Sequence, residues 1–573
     1  MAKRFNSERL RRLSQRSCAA ATLIALVAAP GAFAQVQLPP AVESTALSRD
    51  AFSTGTLGPA DGALPETLWR NAEVQTLEFL LENLPARPAA PSLGEAMRRT
   101  LLSPGTGPDG AGGALGGKKL LALARAGFLK EAATVASLST ANGNDPWTGQ
   151  SEAVRALLSG DINAACRRSE RLSSGRDNPF WVKLRVLCYA QAGERDAADL
   201  TLGILRDQYG LDAEEDAYLT AAATGAAPKA PAPIRSALLY AASRLLETPL
   251  APGLLGEADG GVLAAIISDQ SADLSARIAA SETAAAMGVI SGAELAAVLG
   301  GAEFDVAEIG AAVETARARS ADPLTDALLY KSIETLSAPE FVRDKAQRIA
   351  LALGLADSFH RAYALSVLYA DELEALEGII VSPEEAGVFA SARLAIGDSV
   401  GGARWLSAML GEGESVSALP ETQAMMFIEL VNLLAILDPQ AASQVARRAD
   451  VAVLGEDAPM PAGADDLEID ADLRAHILEA AFDAALENKI GQAALAALAA
   501  SRQEAVDPAQ RVIVSQSLKA AGLEDIERRY RFERAFSRRF ARVDLASAAD
   551  ETGSAGADQN NGLTPRLKPT GER

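Results

Sequence analysis

The sequence predicts an all-α chain of stacked antiparallel helical hairpins, an α-solenoid, and three observations carry that prediction. Glycines at 127, 160 and 193 stand 33 residues apart, each followed five positions later by alanine, at 132, 165 and 198. Asp145-Pro146-Trp147 is matched 33 residues on by Asn178-Pro179-Phe180. No recurring alternation of β-branched and polar residues appears, so strands are expected to be few.

Each unit has a physical reason to be a hairpin. Asp145 or Asn178 can accept from the unpaired N–H groups that open a helix, and proline at the next position loses no hydrogen bond there. About four turns later, glycine can take the positive φ that ends the helix. The small alanine beyond the turn lets a second helix pack closely. Such a hairpin cannot bury its apolar face alone and must stack on its neighbours. The pattern returns near the C-terminus, with Asn488 at a turn and Ala493 five later, then Gly522 with Glu527 in place of the alanine and Asp507-Pro508 as the cap between them. In the middle, Gly288 and Ala293 repeat the step, and "FIELVNLLAIL" runs apolar up to Asp438-Pro439.

These units resemble tetratricopeptide-type helical hairpins, well over residues 115–210 and loosely over 470–535, although the family's full tryptophan, tyrosine and proline consensus is not met. The resemblance implies an α-solenoid whose concave face binds protein or peptide segments. It carries over no catalytic residue.

From the N-terminus, Lys3, Arg4, Arg9, Arg11, Arg12 and Arg16 precede an apolar run from Cys18 to Ala29, and Ala32-Phe33-Ala34 then leads to Gln35. That order reads as a secretory signal over 1–34, cleaved after Ala34, and places the chain in the periplasm. Residues 35–64, rich in Pro, Gly, Ser and Thr, read as a flexible segment. A helix is expected from Glu66 to Leu84, and Ser92–Glu95 ("SLGE") reads as a capping box for the next. "GAGGALGGKKL" at 110–120 comes one residue short of a phosphate-binding loop. It lacks a preceding strand, and Lys119 stands where a serine or threonine would hold magnesium, so it reads as a glycine loop feeding a helix near Lys118. The resulting map has an N-terminal helical-repeat region over 65–224, a central helical region over 235–454, a C-terminal helical-repeat region over 470–544 and a disordered tail over 545–573. Its internal breaks are 224–233 and 455–472.

Composition limits the partners. The chain carries a net charge of −21, and loss of residues 1–34 brings it to −26, a surface that repels nucleic acid and anionic lipid. After the leader no uncharged apolar stretch is long enough for a membrane helix. Cys166 and Cys188 are the two cysteines left after cleavage, and an oxidising compartment makes a bridge the first expectation. They fall on the second helix of one hairpin and the first helix of the next, roughly equidistant from the turn between them.

Catalytic signatures are weak. His360 and His476 are the two histidines, neither with a ligand at metal spacing. The acidic run Glu456, Asp457, Asp465, Asp466, Glu468, Asp470 and Asp472 lacks the pattern of a calcium loop and reads as a solvated linker. No catalytic residue, cofactor or metal is therefore assigned. The most suggestive surface is a basic helix in which Phe532, Phe536 and Phe540 form a stripe among Arg528, Arg529, Arg531, Arg534, Arg538, Arg539 and Arg542. Its bland role is packing on the last hairpin, and its functional one is a dock for an acidic partner, another copy or a membrane surface. The expected function is a non-catalytic periplasmic scaffold or adaptor for protein partners of the cell envelope, with self-association open. The alternatives are a peptidoglycan-associated hydrolase or its helper, and a structural component of a motility or secretion machine.

Overall fold

In the computed structural model, residues 50–139, 145–226, 228, 233–411, 415–453, 471–502 and 508–540 are described. Among them the regular structure is helix throughout, with no strand. The expected leader, residues 35–49, most of the breaks expected at 224–233 and 455–472, the expected cap Asp507, Arg542 and the 545–573 tail lie outside the described residues.

The three hairpins with 33-residue spacing form as their caps dictate. Helix Gly113–Ala126 turns at Gly127 into Leu129–Leu138, Pro146–Leu158 turns at Gly160 into Ile162–Arg171, and Pro179–Ala192 turns at Gly193 into Arg195–Tyr209. The three glycines adopt φ of 102°, 80° and 78°. Asp145 Oδ2 accepts from the Thr148 N–H at 2.7 Å, and Asn178 Oδ1 from the Phe180 N–H at 2.9 Å. Ala132, Ala165 and Ala198 are all 0% exposed, as close packing of the second helix requires. Cys166 and Cys188 are disulfide-bonded, with Cα atoms 5.7 Å apart, within the span a bridge tolerates.

Near the C-terminus, Ala471–Glu487 and Ile490–Ser501 turn at Asn488, whose φ is 54°. Pro508–Ala520 and the helix over 524–540 turn at Gly522. The central step is different. Gly288 has the positive φ, but Ser291 and Glu294 build a capping box that delays the next helix to Gly292–Gly300, and Ala293 faces solvent.

Several local expectations are corrected by contacts distant in sequence. Residues 50–64 are not loose, for Phe52 and Leu64 are buried and the Phe52 ring lies 4.6 Å from that of Trp69. The helix expected from Glu66 begins only at Val74, because 66–71 form turns that end in Asn71 at φ 61°. Ser92 caps nothing. Pro91 takes the first helical position one residue earlier, and the Ser92 N–H and hydroxyl both donate to the Glu533 carboxylate, 441 residues away.

Residues 51–135 and 477–530, far apart in sequence, share one core. Phe52, Trp69 and Leu77 pack with Ile477, Leu495, Val514 and Tyr530 in a single cluster. Helix Ile490–Ser501 lies at its centre, buried from Gly491 to Ser501 and touching helices Val74–Glu82 and Pro91–Leu102, while the Gly491 N–H donates to Leu68 O at 2.8 Å. A helix apolar all round survives in water only when enclosed in this way.

Candidate functional site

The glycine and lysine stretch is a packing device. Its helix starts at Gly113, five residues before Lys118, and Gly116 and Gly117 lie inside it. A Cβ on Gly117 would stand 2.4 Å from the Thr148 nitrogen, so glycine is what lets this helix meet the start of the next hairpin. Lys119 is 0% exposed and donates to Phe52 O at 2.8 Å and Thr54 O at 2.6 Å. Burial pushes its amine down to about 7, with Asp50 opposing. Lys118 reaches the other way, pairing with Glu78 at 2.8 Å and Glu82 at 2.6 Å above the Trp147 ring. Both ammonium groups are held by the protein's own acceptors.

The face formed by the first helices of the three hairpins is largely covered by the chain itself. Helix Ala237–Leu245 packs on Pro146–Leu158 and Pro179–Ala192, and helix Gly260–Ser268 packs on Gly113–Ala126. The second crossing is backbone on backbone, since a Cβ on Gly260 would lie 2.1 Å from Ala126 O. Two adjoining clefts remain, of about 220 and 180 Å³, sharing Leu121, Arg125 and Gln150. Their charged walls are internally matched: Lys183 pairs with Glu215 at 2.6 Å and Arg125 with Asp259 at 3.6 Å. Burial pushes Asp259 up to about 6, against the opposing pull of Arg125.

A second polar cluster lies where helices Leu274–Ala286, Pro323–Glu334 and Phe359–Leu368 meet. Arg361 grips Asp326 with two parallel bonds of 2.9 and 2.8 Å, and the Asp326 side chain is 1% exposed. Glu282 lies beside Asp326, half-buried, with its Oε1 enclosed. Desolvation and the neighbouring Asp326 raise the Glu282 pKa well above its usual value. The arrangement is an internal ion pair with a second carboxyl beside it, and both Asp326 oxygens are engaged by Arg361.

The histidines do not converge. His360 lies in the first turn of helix Phe359–Leu368, its ring 6.0 Å from Phe359. His476 is exposed, with Nδ1 2.7 Å from Asp472 O and its ring 5.4 Å from Phe79. Among the described residues no three His, Cys, Asp or Glu side chains gather as a metal-binding group. No described helix is long and apolar enough to cross a membrane.

The basic helix over 524–540 takes the packing role, but against the centre of the chain rather than only the last hairpin. Phe532 and Phe536 are each 1% exposed and join the core of Phe389, Trp405 and Phe427, while Phe536 meets Phe359 edge-on at 5.8 Å. Burying a phenylalanine in this way is worth about 1.5–3 kcal/mol, which decides the fate of the stripe. Phe540 packs partly against the same core. Several arginines face inward as well: Arg539 reaches Glu429 at 3.2 Å and Ser391 at 3.0 Å, Arg531 reaches Glu527 at 2.9 Å, Arg534 lies over Tyr530, and Arg529 lies against Gly397. Arg538 is half-buried and has an interaction of its own, and Arg528 is exposed. The phenylalanine stripe is therefore no free docking face.

Among the described residues, a free apolar face lies on helix Ala471–Glu487, which sequence reasoning passed over. Ile477, Ala480, Ala481 and Ala484 turn inward and are buried. On the opposite side Leu478, Phe482 and Leu486 are 50%, 65% and 67% exposed, with Ala475 and Ala485 between them. The signal was present in "ADLRAHILEAAFDAALE", whose apolar residues occupy two separate arcs of the helix rather than one.

No family model, curated protein or solved structure matches this chain.

Proposed function

We propose that the chain is an exported, non-catalytic scaffold of the bacterial envelope that binds a protein partner through the outer face of helix Ala471–Glu487. The observation that carries the reading is that face: Leu478, Phe482 and Leu486 present a continuous apolar ridge on a helix whose other side is already buried. Grouped exposed apolar side chains on a folded chain mark interaction sites, whereas scattered ones do not. The leader-like first 34 residues support export, and the hairpins over 113–209 support a tetratricopeptide-like scaffold. Ala237–Leu245 and Gly260–Ser268 pack on the first helices of those hairpins, where the resemblance would expect a bound segment, and this supports looking for the binding face on the C-terminal helices.

The test is site-directed photo-crosslinking in cells exporting the protein. A photoreactive residue at 482 is expected to give a discrete adduct, and the same residue at exposed Asp207 is expected to give none. Equal labelling from both positions, or none from 482, would remove the basis of the proposal.

A further inference from the structure

We infer that the partner element seated on helix Ala471–Glu487 is a basic amphipathic helix, an inference that rests on the scaffold reading above. At 100° per residue, Ala475, Leu478, Phe482, Ala485 and Leu486 fall in one arc about 100° wide. The buried set, Leu473, Ile477, Ala480, Ala481 and Ala484, occupies the opposite arc. Residues 475, 478, 482 and 485 follow the 3–4 spacing by which one helix receives another along a seam. The seam runs from Ala475 to Leu486, which at 1.5 Å per residue is about 17 Å, long enough for about three turns of a partner.

Charge selects the occupant. Asp472, Glu479, Asp483 and Glu487 all fall within about 80° along one edge of the seam. Lys489 offsets two of them, bonded to Asp483 at 2.8 Å and Glu487 at 3.1 Å, while Asp472 and Glu479 are exposed. The whole chain adds a field of the same sign, with a net charge of −21. A second copy fits poorly: antiparallel two-fold pairing would set one acidic edge against the other, and parallel pairing would offer that edge only Arg474. A helix with an apolar stripe bordered by lysine or arginine satisfies both the seam and its edge, and such edge charges mainly govern association rate and salt dependence.

The experiment uses the full mature chain and two fluorescein-labelled peptides of about 18 residues. Both place leucine at the seam positions; one fills the remaining positions with lysine, the other with glutamate. Binding is read by anisotropy at several salt concentrations, and helicity by circular dichroism confirms folding of each variant. The lysine peptide is expected to bind and the glutamate peptide not to. Phe482→Asp and Leu486→Asp, both at exposed positions, are expected to weaken binding by about tenfold or more without loss of helicity. Glu479→Lys is expected to weaken it severalfold and flatten the salt dependence. Equal binding of both peptides, or of wild type and Phe482→Asp, would overturn the inference. So would a wild-type chain that ignores the peptides but dimerises in sedimentation through Phe482, since the seam would then belong to a second copy. Failure with the peptides alongside a position-specific adduct at 482 would reject the partner's chemistry and leave the scaffold reading intact.

Discussion

Replacing Lys119 with methionine is expected to change how stability depends on pH. The amine is fully enclosed in the core shared by residues 51–135 and 477–530, and burial lowers its pKa from 10.5 to about 7. A neutral amine keeps two N–H groups, enough for Phe52 O and Thr54 O. Because the folded pKa lies below the unfolded one, the unfolded chain holds a proton that the native chain lacks between those two values. Stability therefore rises with pH across that window. At about 1.4 kcal/mol per pKa unit, the gain between about pH 6 and about pH 9 is roughly 2.5 kcal/mol. Methionine removes that slope and leaves two buried carbonyls without a donor, a pH-independent loss of about 1–3 kcal/mol each. Urea unfolding followed by far-ultraviolet circular dichroism, on both proteins across this pH range, reads the difference directly. Wild type should gain on the variant by about the stated amount as pH rises. If the two stability curves run parallel, Lys119 remains an ammonium throughout and the reasoning about its burial is wrong.

Reduction of the Cys166–Cys188 bridge, which closes a loop with a sequence separation of 22, is expected to cost about 3 kcal/mol. The urea midpoint should fall on reduction, and the mass of the alkylated chain should report two thiols. Gly117→Val is expected to destabilise by about 1–3 kcal/mol or more because its Cβ meets backbone at 2.4 Å. Gly203→Ala, with nothing within 4 Å and a helical backbone, should instead stabilise by roughly 0.5–1 kcal/mol, and thermal melts distinguish the two. Glu282→Gln is expected to stabilise the chain increasingly as pH rises. Wild-type Glu282 binds its proton more tightly folded than unfolded, so its contribution falls as pH climbs toward the folded pKa, and glutamine abolishes that fall. Asp326→Asn, which leaves Arg361 without its buried counter-charge, should cost about 3–5 kcal/mol in the same assay.

Features governed by neighbours along the chain were legible in the sequence. Asp145 and Asn178 cap as expected, Gly127, Gly160 and Gly193 turn as expected, and Cys166 meets Cys188, because a cap, a turn and an adjacent helix pair involve residues a few turns apart. The candidate site was less legible. Phe532 and Phe536 looked like a surface stripe because periodicity shows that a helix has an apolar face but not what covers it. Leu478, Phe482 and Leu486 were overlooked because their helix carries a second, buried face that blurs the pattern. Ser92 read as a cap because its three-residue spacing to Glu95 is a local signature, whereas its actual acceptor, Glu533, comes from the far end of the chain.

By itself the sequence determined the class of structure and the placement of its hairpins, since helix starts and stops depend on backbone groups whose partners lie within one turn. The tertiary structure decided which faces are used up. It joined helices Val74–Glu82 and Pro91–Leu102 to Ile490–Ser501 in one core, packed Ala237–Leu245 and Gly260–Ser268 on the first helices of the hairpins, and left a ridge of helix Ala471–Glu487 in water. That division follows from the physics: hydrogen bonds at caps and turns are directional and local, whereas apolar burial is indifferent to sequence distance and is settled only when the whole chain packs.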